Sequence, residues 1–438
     1  MVENLRLYFI ALCFAQILWS LIKVERVYQY PCFMAAIFIS FILPQINPLL
    51  KVLLPSLDEG AYIRVLVMAC LCVAMGWVGY RVKPRLQWLQ RLQIPLDDQK
   101  LFHVAILFTI IGYLCAALTA AYFATWSGGG QLSGAGTIYI FFGQLIYLAF
   151  PIFLMQLLSR PTRLILSPST LLPLVGTVVS VFPIVQTVLA GRRQPTVTFM
   201  VIVGLSFFLQ RRLLPPRWAV IALIAMGGYL IPLIAQLRAE FWQLLFSGDW
   251  QALQTAVEIS TTKLQEGENL DLRNAAVLMD SVSRTGEFGW GTSFWDAVVF
   301  QFVPGQLVGL DFKRSLQFNW VPIQQIYQNY GYSSYVGSVI TGIGDAFTEY
   351  WYFGCLIFAL LGYLFKHLWI SSVYFGSRVA ALLMISLISP AMVSVSHGIG
   401  RFCQEAVFNI GAVWLIVAYA RVRHSIPTPI PDPSTPTL

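Results

Sequence analysis

The chain has 438 residues, of which 57% are hydrophobic and only 11% charged, against about 25% charged in an ordinary soluble domain. That shortage excludes a soluble enzyme, a disordered chain and a disulfide-rich secreted module. The net charge of +8 is not accompanied by zinc-finger spacing, a Gly-rich phosphate loop or a basic-aromatic repeat, so no nucleic-acid partner is expected; it reflects basic loops on one side of a membrane.

Eleven apolar runs follow in chain order, at residues 5–22, 33–54, 61–80, 101–125, 138–158, 170–190, 195–210, 217–236, 339–365, 379–396 and 404–420. Most are close to the ~20 residues that cross a bilayer as a helix. The expected fold class is therefore all-α, a polytopic integral membrane protein with about 11 transmembrane helices. Lys23 and Arg26 follow the first run without a small-residue cleavage site, which makes it a retained helix. Pro44 and Pro48 predict a second run that is kinked or partly re-entrant, and the seventh is short enough to be tilted or to span incompletely. Six of the seven cysteines lie in apolar runs, so no disulfide framework is expected. Four regions result: an N-terminal bundle of about eight helices (1–236), a long polar segment (237–338), about three C-terminal helices (339–424) and a Pro-rich tail (425–438).

Basic residues set the expected orientation. With the C-terminus inside, 16 Lys and Arg fall on the cytoplasmic side and six on short outer segments, which is the sense of the positive-inside rule. Residues 237–338 then face outward, too long to be an ordinary connection. Within them, 269–282 carries Leu272, Ala276, Met279 and Val282 at helical spacing, and Phe294, Val298 and Phe302 repeat the pattern. Such amphipathic helices lie in the membrane interface or pack on the tops of the spanning helices. Ser293 and Asp296 have the spacing of a capping box.

Three of the outer cations occupy two very short turns. Gly191, Arg192, Arg193, Gln194 and Pro195 form one; His397, Gly398, Ile399, Gly400 and Arg401 form the other. A guanidinium at that depth requires a partner or a wet cavity, either a lipid phosphate or a phosphate-bearing ligand matched by its planar fork. His397, Arg401 and Glu405 stand at i, i+4 and i+8, although Gly398 and Gly400 oppose a continuous helix. Asp345 and Glu349, four apart, share a face if that segment is helical.

The run Gly289-Trp290-Gly291-Thr292-Ser293-Phe294-Trp295, followed by Pro304 and then Lys313 and Arg314, resembles the outer loop of oligosaccharide repeat-unit polymerases of the Wzy type. Gly342, Gly344, Asp345, Glu349, Phe353 and Gly354 resemble that family's small-residue, acidic and aromatic segment, and Gly191-Arg192 is a third match. These pieces cover roughly 187–200 and 285–365. Pro304 is followed here by Gly305, where many members have Arg, which leaves Lys313 and Arg314 as the basic residues of that loop.

The resemblance implies an enzyme of surface-polysaccharide synthesis (O-antigen, capsule or exopolysaccharide) in the bacterial cytoplasmic membrane, with its site facing the periplasm or exterior. It implies a metal-independent glycosyltransferase without cofactors, acting on polyprenyl-pyrophosphate-linked oligosaccharides, with membrane lipids, a flippase and a chain-length regulator as further partners. Arg192, Arg193, Arg401, Lys313 and Arg314 become the pyrophosphate candidates, because charge grows on the leaving group in the transition state. His397, Glu349 and Asp345 become the candidates for the base. A lipid-linked glycan ligase of the O-antigen ligase type, or a non-enzymatic polysaccharide transporter or flippase, would have similar hydropathy. Outer aromatics such as Trp320, Tyr327, Tyr330, Tyr332, Tyr335 and Trp351 suit either sugar stacking or an interfacial belt.

Overall fold

The computed structural model describes residues 2–51, 57–125, 135–160, 167–237, 239–266, 270–319, 323–333 and 339–422. Arg163, Trp320, Tyr335, Arg423 and the tail at 425–438 lie outside them. The described chain is helical, with a single isolated β-bridge between Leu96 and Arg421. It runs α1 (Val2–Ile22), α2 (Tyr30–Ile37), α3 (Leu43–Lys51), α4 (Glu59–Arg81), α5 (Leu86–Arg91), α6 (Asp98–Thr125), α7 (Ala135–Gly143), α8 (Ile146–Ser159), α9 (Pro168–Leu189), α10 (Arg193–Arg211) and α11 (Arg217–Leu237). Seven shorter helices follow: α12 (Ala239–Ser247), α13 (Trp250–Gln265), α14 (Asp271–Thr285), α15 (Thr292–Phe302), α16 (Gly305–Val308), α17 (Leu310–Ser315) and α18 (Ile323–Asn329). The chain closes with α19 (Gly342–Tyr350), α20 (Cys355–Val373), α21 (Arg378–His397) and α22 (Ile399–Ala420).

Among the described residues, nine helical stretches are long and apolar enough to cross a membrane. They correspond to nine of the eleven apolar runs, so the protein is a multi-pass membrane protein by length and composition. The other two runs form α10 and α11, helices of 19 and 21 residues. The second run bends through a π-helical turn, Phe38–Ile42, just before Pro44; the extra residue in that turn relieves the clash and missing donor that proline imposes. All seven cysteines are free.

Helices α4 and α20 form the closest pair. A Cβ on Gly79 would lie 1.9 Å from the Ala359 carbonyl oxygen, and one on Gly362 would lie 2.3 Å from that of Gly76. Small residues thus let the two backbones touch, which is how helices associate where lipid removes the hydrophobic drive between them. Around this pair Phe9, Phe38, Phe358, Trp369 and Ile388 form the continuous core.

Within 237–338 the described helices differ in burial. Polar as it is, α14 is buried against α4 and α19, with Leu272, Ala276, Met279 and Val282 in the main core. Its polar groups are matched in place. Asp271 accepts from Val339 N at 3.1 Å, and Asn274 donates to Val339 O at 3.0 Å. Asp280, 1% exposed, pairs with Arg64 of α4, takes Arg284 Nε at 2.7 Å and accepts the Tyr330 hydroxyl at 2.7 Å. Burial together with that carboxylate pushes the Tyr330 phenol up to about 12. Packing on the spanning helices, one of two compatible sequence readings, is seen for α14. α15 is more open, with Trp295, Phe300 and Phe302 exposed and Val299 buried.

The segments grouped by charge gather at opposite ends of the bundle. At one end Arg378 pairs with Asp98, Arg212 donates to Val373 O, Arg211 to Arg160 O, and Val422 N to Pro95 O. At the other end lie the turns 191–195 and 397–401, joined by a bond from Gln194 to Glu405.

Candidate functional site

The site is built at the end of α9, where Gly191, at φ 70°, closes the turn into α10. Arg192 occupies the N-cap of α10 and is exposed, and its guanidinium has no hydrogen-bond or ion-pair partner among the described residues. Arg193 opens the helix beside it. Across from them α21 ends at His397, and Gly398, at φ 97°, turns the chain directly into α22. The continuous i, i+4, i+8 face therefore does not exist: the helix breaks after His397. Arg401 and Glu405 keep their spacing inside α22, and their side chains bond at 2.8 Å.

Tertiary packing restores the cluster that the helix break divides. Glu405, 5% exposed at its side chain, accepts from Arg401 Nε at 2.8 Å and from Gln194 Nε2 at 2.9 Å on the same oxygen. That carboxylate ties the start of α10 to α22. The charges acting on His397 are those of Arg193 and Arg401, so the two turns converge. His397 is exposed, its Nδ1 is hydrogen-bonded to Ser396 Oγ at 2.7 Å, and its Nε2 has no partner among the described residues. Arg193 and Arg401 thus approach the His397 imidazole from two separate turns, with Arg192 next to Arg193 in the chain and Glu405 bonded to both turns.

Asp345 and Glu349 stand on α19, one turn apart, and both are buried. Each receives a helix start. Asp345 Oδ2 accepts Gly400 N at 2.9 Å, and Ser293 Oγ reaches its Oδ1 at 3.4 Å. It caps the N-terminus of α22 with an acceptor supplied from another helix. Gly398 is needed here, because a Cβ on it would lie 2.9 Å from Asp345 Oδ2. Glu349 Oε2 accepts Gly291 N at the start of α15, while its Oε1 is buried without a partner among the described residues. A side chain on Gly289 would lie 2.4 Å from that oxygen. The Gly-Trp-Gly pattern thus lets backbone close over a carboxylate. The pattern was visible in the sequence; its partner was not.

The structure brings together Arg193, His397 and Arg401, places exposed Arg192 next to Arg193 at the N-cap of α10, and seats Asp345 against the turn that follows His397. Lys313 and Arg314 are placed differently. Lys313 Nζ donates to Phe300 O at 2.7 Å and lies 4.7 Å from the Phe300 ring centre, closing the end of α15; partial burial lowers its pKa. Arg314 is exposed, 3.9 Å from Asp311. The capping box at Ser293 and Asp296 does not form: Gly291 is the N-cap of α15, Ser293 turns to Asp345, and Asp296 accepts Phe318 N and Asn319 N at 2.8 and 2.7 Å. The paired amides at 318–319 offer that carboxylate more than its own helix start does. Gln194, Ser293 and Tyr350, absent from the sequence candidates, also line this region. Comparison with protein-family models, curated proteins and solved structures finds no match for the chain.

Proposed function

We propose that the chain is a glycosyltransferase of the repeat-unit polymerase type, joining polyprenyl-pyrophosphate-linked oligosaccharides at the bundle end that carries Arg192. The observation that carries the reading is the approach of Arg193 and Arg401 to His397 from two separate turns, the first of which also carries exposed Arg192. Such a cluster suits a substrate with a pyrophosphate and a hydroxyl to be deprotonated.

In the proposed reaction the acceptor hydroxyl of the incoming unit attacks the anomeric carbon of the growing chain. The new C–O bond forms as the bond from that carbon to the pyrophosphate oxygen breaks, and the leaving group departs with the electron pair. Arg192, Arg193 and Arg401 stabilise the charge that grows there. His397 Nε2 takes the hydroxyl proton, with its ring oriented through the Nδ1 contact to Ser396. Asp345 and Glu349 hold the starts of α22 and α15 in place, which favours His397 over either as the base. Eleven transmembrane helices, a periplasmic site and the bacterial cytoplasmic membrane belong to the same proposal, as do a flippase and a chain-length regulator as partners.

The test uses purified protein in detergent with lipid-linked repeat units, with chelator and without nucleotide. Arg192→Ala should slow polymer formation by about a hundredfold or more, with partial rescue in Arg192→Lys because the fork is lost. His397→Gln should slow it by about 10²–10⁴-fold. Full-rate polymer from Arg192→Ala, or a requirement for nucleotide, would sink the reading; transfer to a different acceptor would make the enzyme a ligase.

A further inference from the structure

Trp290 has an unusual combination of properties. Its backbone sits at φ 54°, in the left-handed region, where a bulky residue is a genuine outlier. Its side chain is nevertheless 72% exposed, so core packing does not explain why a tryptophan occupies the position. The conformation is imposed from α19. Gly289 N donates to Thr348 O at 3.1 Å, Trp290 N donates to Glu349 O at 3.0 Å, and Gly291 N reaches the Glu349 carboxylate. Thr292 closes the turn from the other side, its hydroxyl donating to Gly289 O at 2.8 Å. Glycine or asparagine would fill such a position with less strain. Strain of this kind persists where the surroundings over-determine it, and it concentrates at ligand-holding sites.

The indole of Trp290 has one ring partner among the described residues. Its ring meets Tyr350 edge-on, with centroids 6.1 Å apart at 78°. Its Nε1 has no hydrogen-bond partner among the described residues, whereas Trp295 and Trp242 donate theirs to Leu316 O and Val188 O. Around it the rim is polar. The Tyr350 hydroxyl comes so near Gly291 that a Cβ there would lie 2.5 Å from it. Trp351, also at positive φ (52°) and half exposed, follows Tyr350. Glu349 and Asp345 are one helical turn apart, about 5–6 Å along α19. Asp345 lies against the Gly398–Gly400 turn, and the shelf is therefore close to the cations.

We propose that the exposed face of Trp290 is a stacking subsite for a sugar ring of the glycan, with Tyr350 at its edge. The C–H face of a pyranose is apolar and carries partial positive charge, which complements the negative face of an indole. Hydroxyls around the ring edge would meet the Tyr350 O–H and the Trp290 Nε1–H. The proposal rests on the glycan-transfer reading above and names the group that places the sugar, whereas the arginines place the pyrophosphate.

The experiment uses full-length protein and the lipid-linked repeat units that accumulate in cells from which this chain has been deleted, with inorganic pyrophosphate as competitor. Trp290→Ala should raise KM by about tenfold or more, the scale of losing one stacked ring. Its kcat should be little changed and inhibition by inorganic pyrophosphate unaltered. Trp290→Phe should recover most of the loss. Trp290→Gly, which suits the positive φ, should fold at least as stably as the natural chain and still show the alanine defect. An unchanged KM in both Trp290→Ala and Trp290→Gly, or a Phe variant as impaired as Ala, overturns the subsite and leaves the transfer reading standing. An unaltered protein that forms no polymer from those units overturns the transfer reading, and the subsite with it.

Discussion

Glu405→Ala removes the acceptor that joins two elements of the site. In the folded protein one oxygen of this buried carboxylate takes Arg401 Nε at 2.8 Å and Gln194 Nε2 at 2.9 Å. Hydrogen bonds to a charged group contribute about 1.5–3 kcal/mol each. The Arg401 side chain is 35% exposed, so solvent recovers part of its share. A loss of about 3 kcal/mol follows, at the lower end of the range for breaking a buried pair. Glu405→Gln keeps the shape and one acceptor oxygen and should lose about half as much. The couplings should be visible in a double-mutant cycle with Gln194→Ala, at about 1 kcal/mol. Stability is read from thermal unfolding in detergent, and function from polymer formed by the same preparations. Glu405→Ala should also impair polymer formation, because the turn carrying Arg192 and Arg193 is no longer fixed to α22. A variant with unaltered unfolding, unaltered polymer and no coupling to Gln194 would refute the claim that Glu405 joins the two turns.

Further outcomes follow from other contacts. Asp280→Asn should destabilise the protein by about 3 kcal/mol, because Arg64 and Arg284 lose their buried counter-charge; denaturant unfolding at unchanged activity per folded molecule would bear this out, and no loss of stability would show the pair to be unimportant. Gly398→Ala should lose at least about 2 kcal/mol, since it combines positive φ with a Cβ 2.9 Å from Asp345. Asp345→Ala in the same background should recover part of that loss, and strict additivity would argue against the steric cause. Cysteines placed at Ser247 and Ser333 should react with a membrane-impermeant thiol reagent in outer-permeabilised cells; labelling only after the inner membrane is broken would reverse the expected orientation.

The membrane class was legible from hydropathy alone, because in a bilayer a backbone must satisfy its own hydrogen bonds and helices are the solution. Charge separated the connections into two sets, and the folded chain gathers those sets at opposite ends. The Arg192 and His397 turns stood out as candidates because cations are rare at that depth. The helix break at Gly398 was also readable, and Pro44 marked the irregular, π-helical stretch of the second run. Other features needed three dimensions. Segment α14 has the composition of a surface helix, and its burial depends on partners such as Gln45, Arg64, Tyr330 and Val339, some of them more than 200 residues away. The shared face of Asp345 and Glu349 followed from their spacing, but not that they receive the starts of α22 and α15, elements whose approach no local pattern encodes. The single carboxylate oxygen shared by Arg401 and Gln194 is a similar case. Periodicity reports which face of a helix is apolar; which backbone N–H meets a given carboxylate is decided only when distant helices pack.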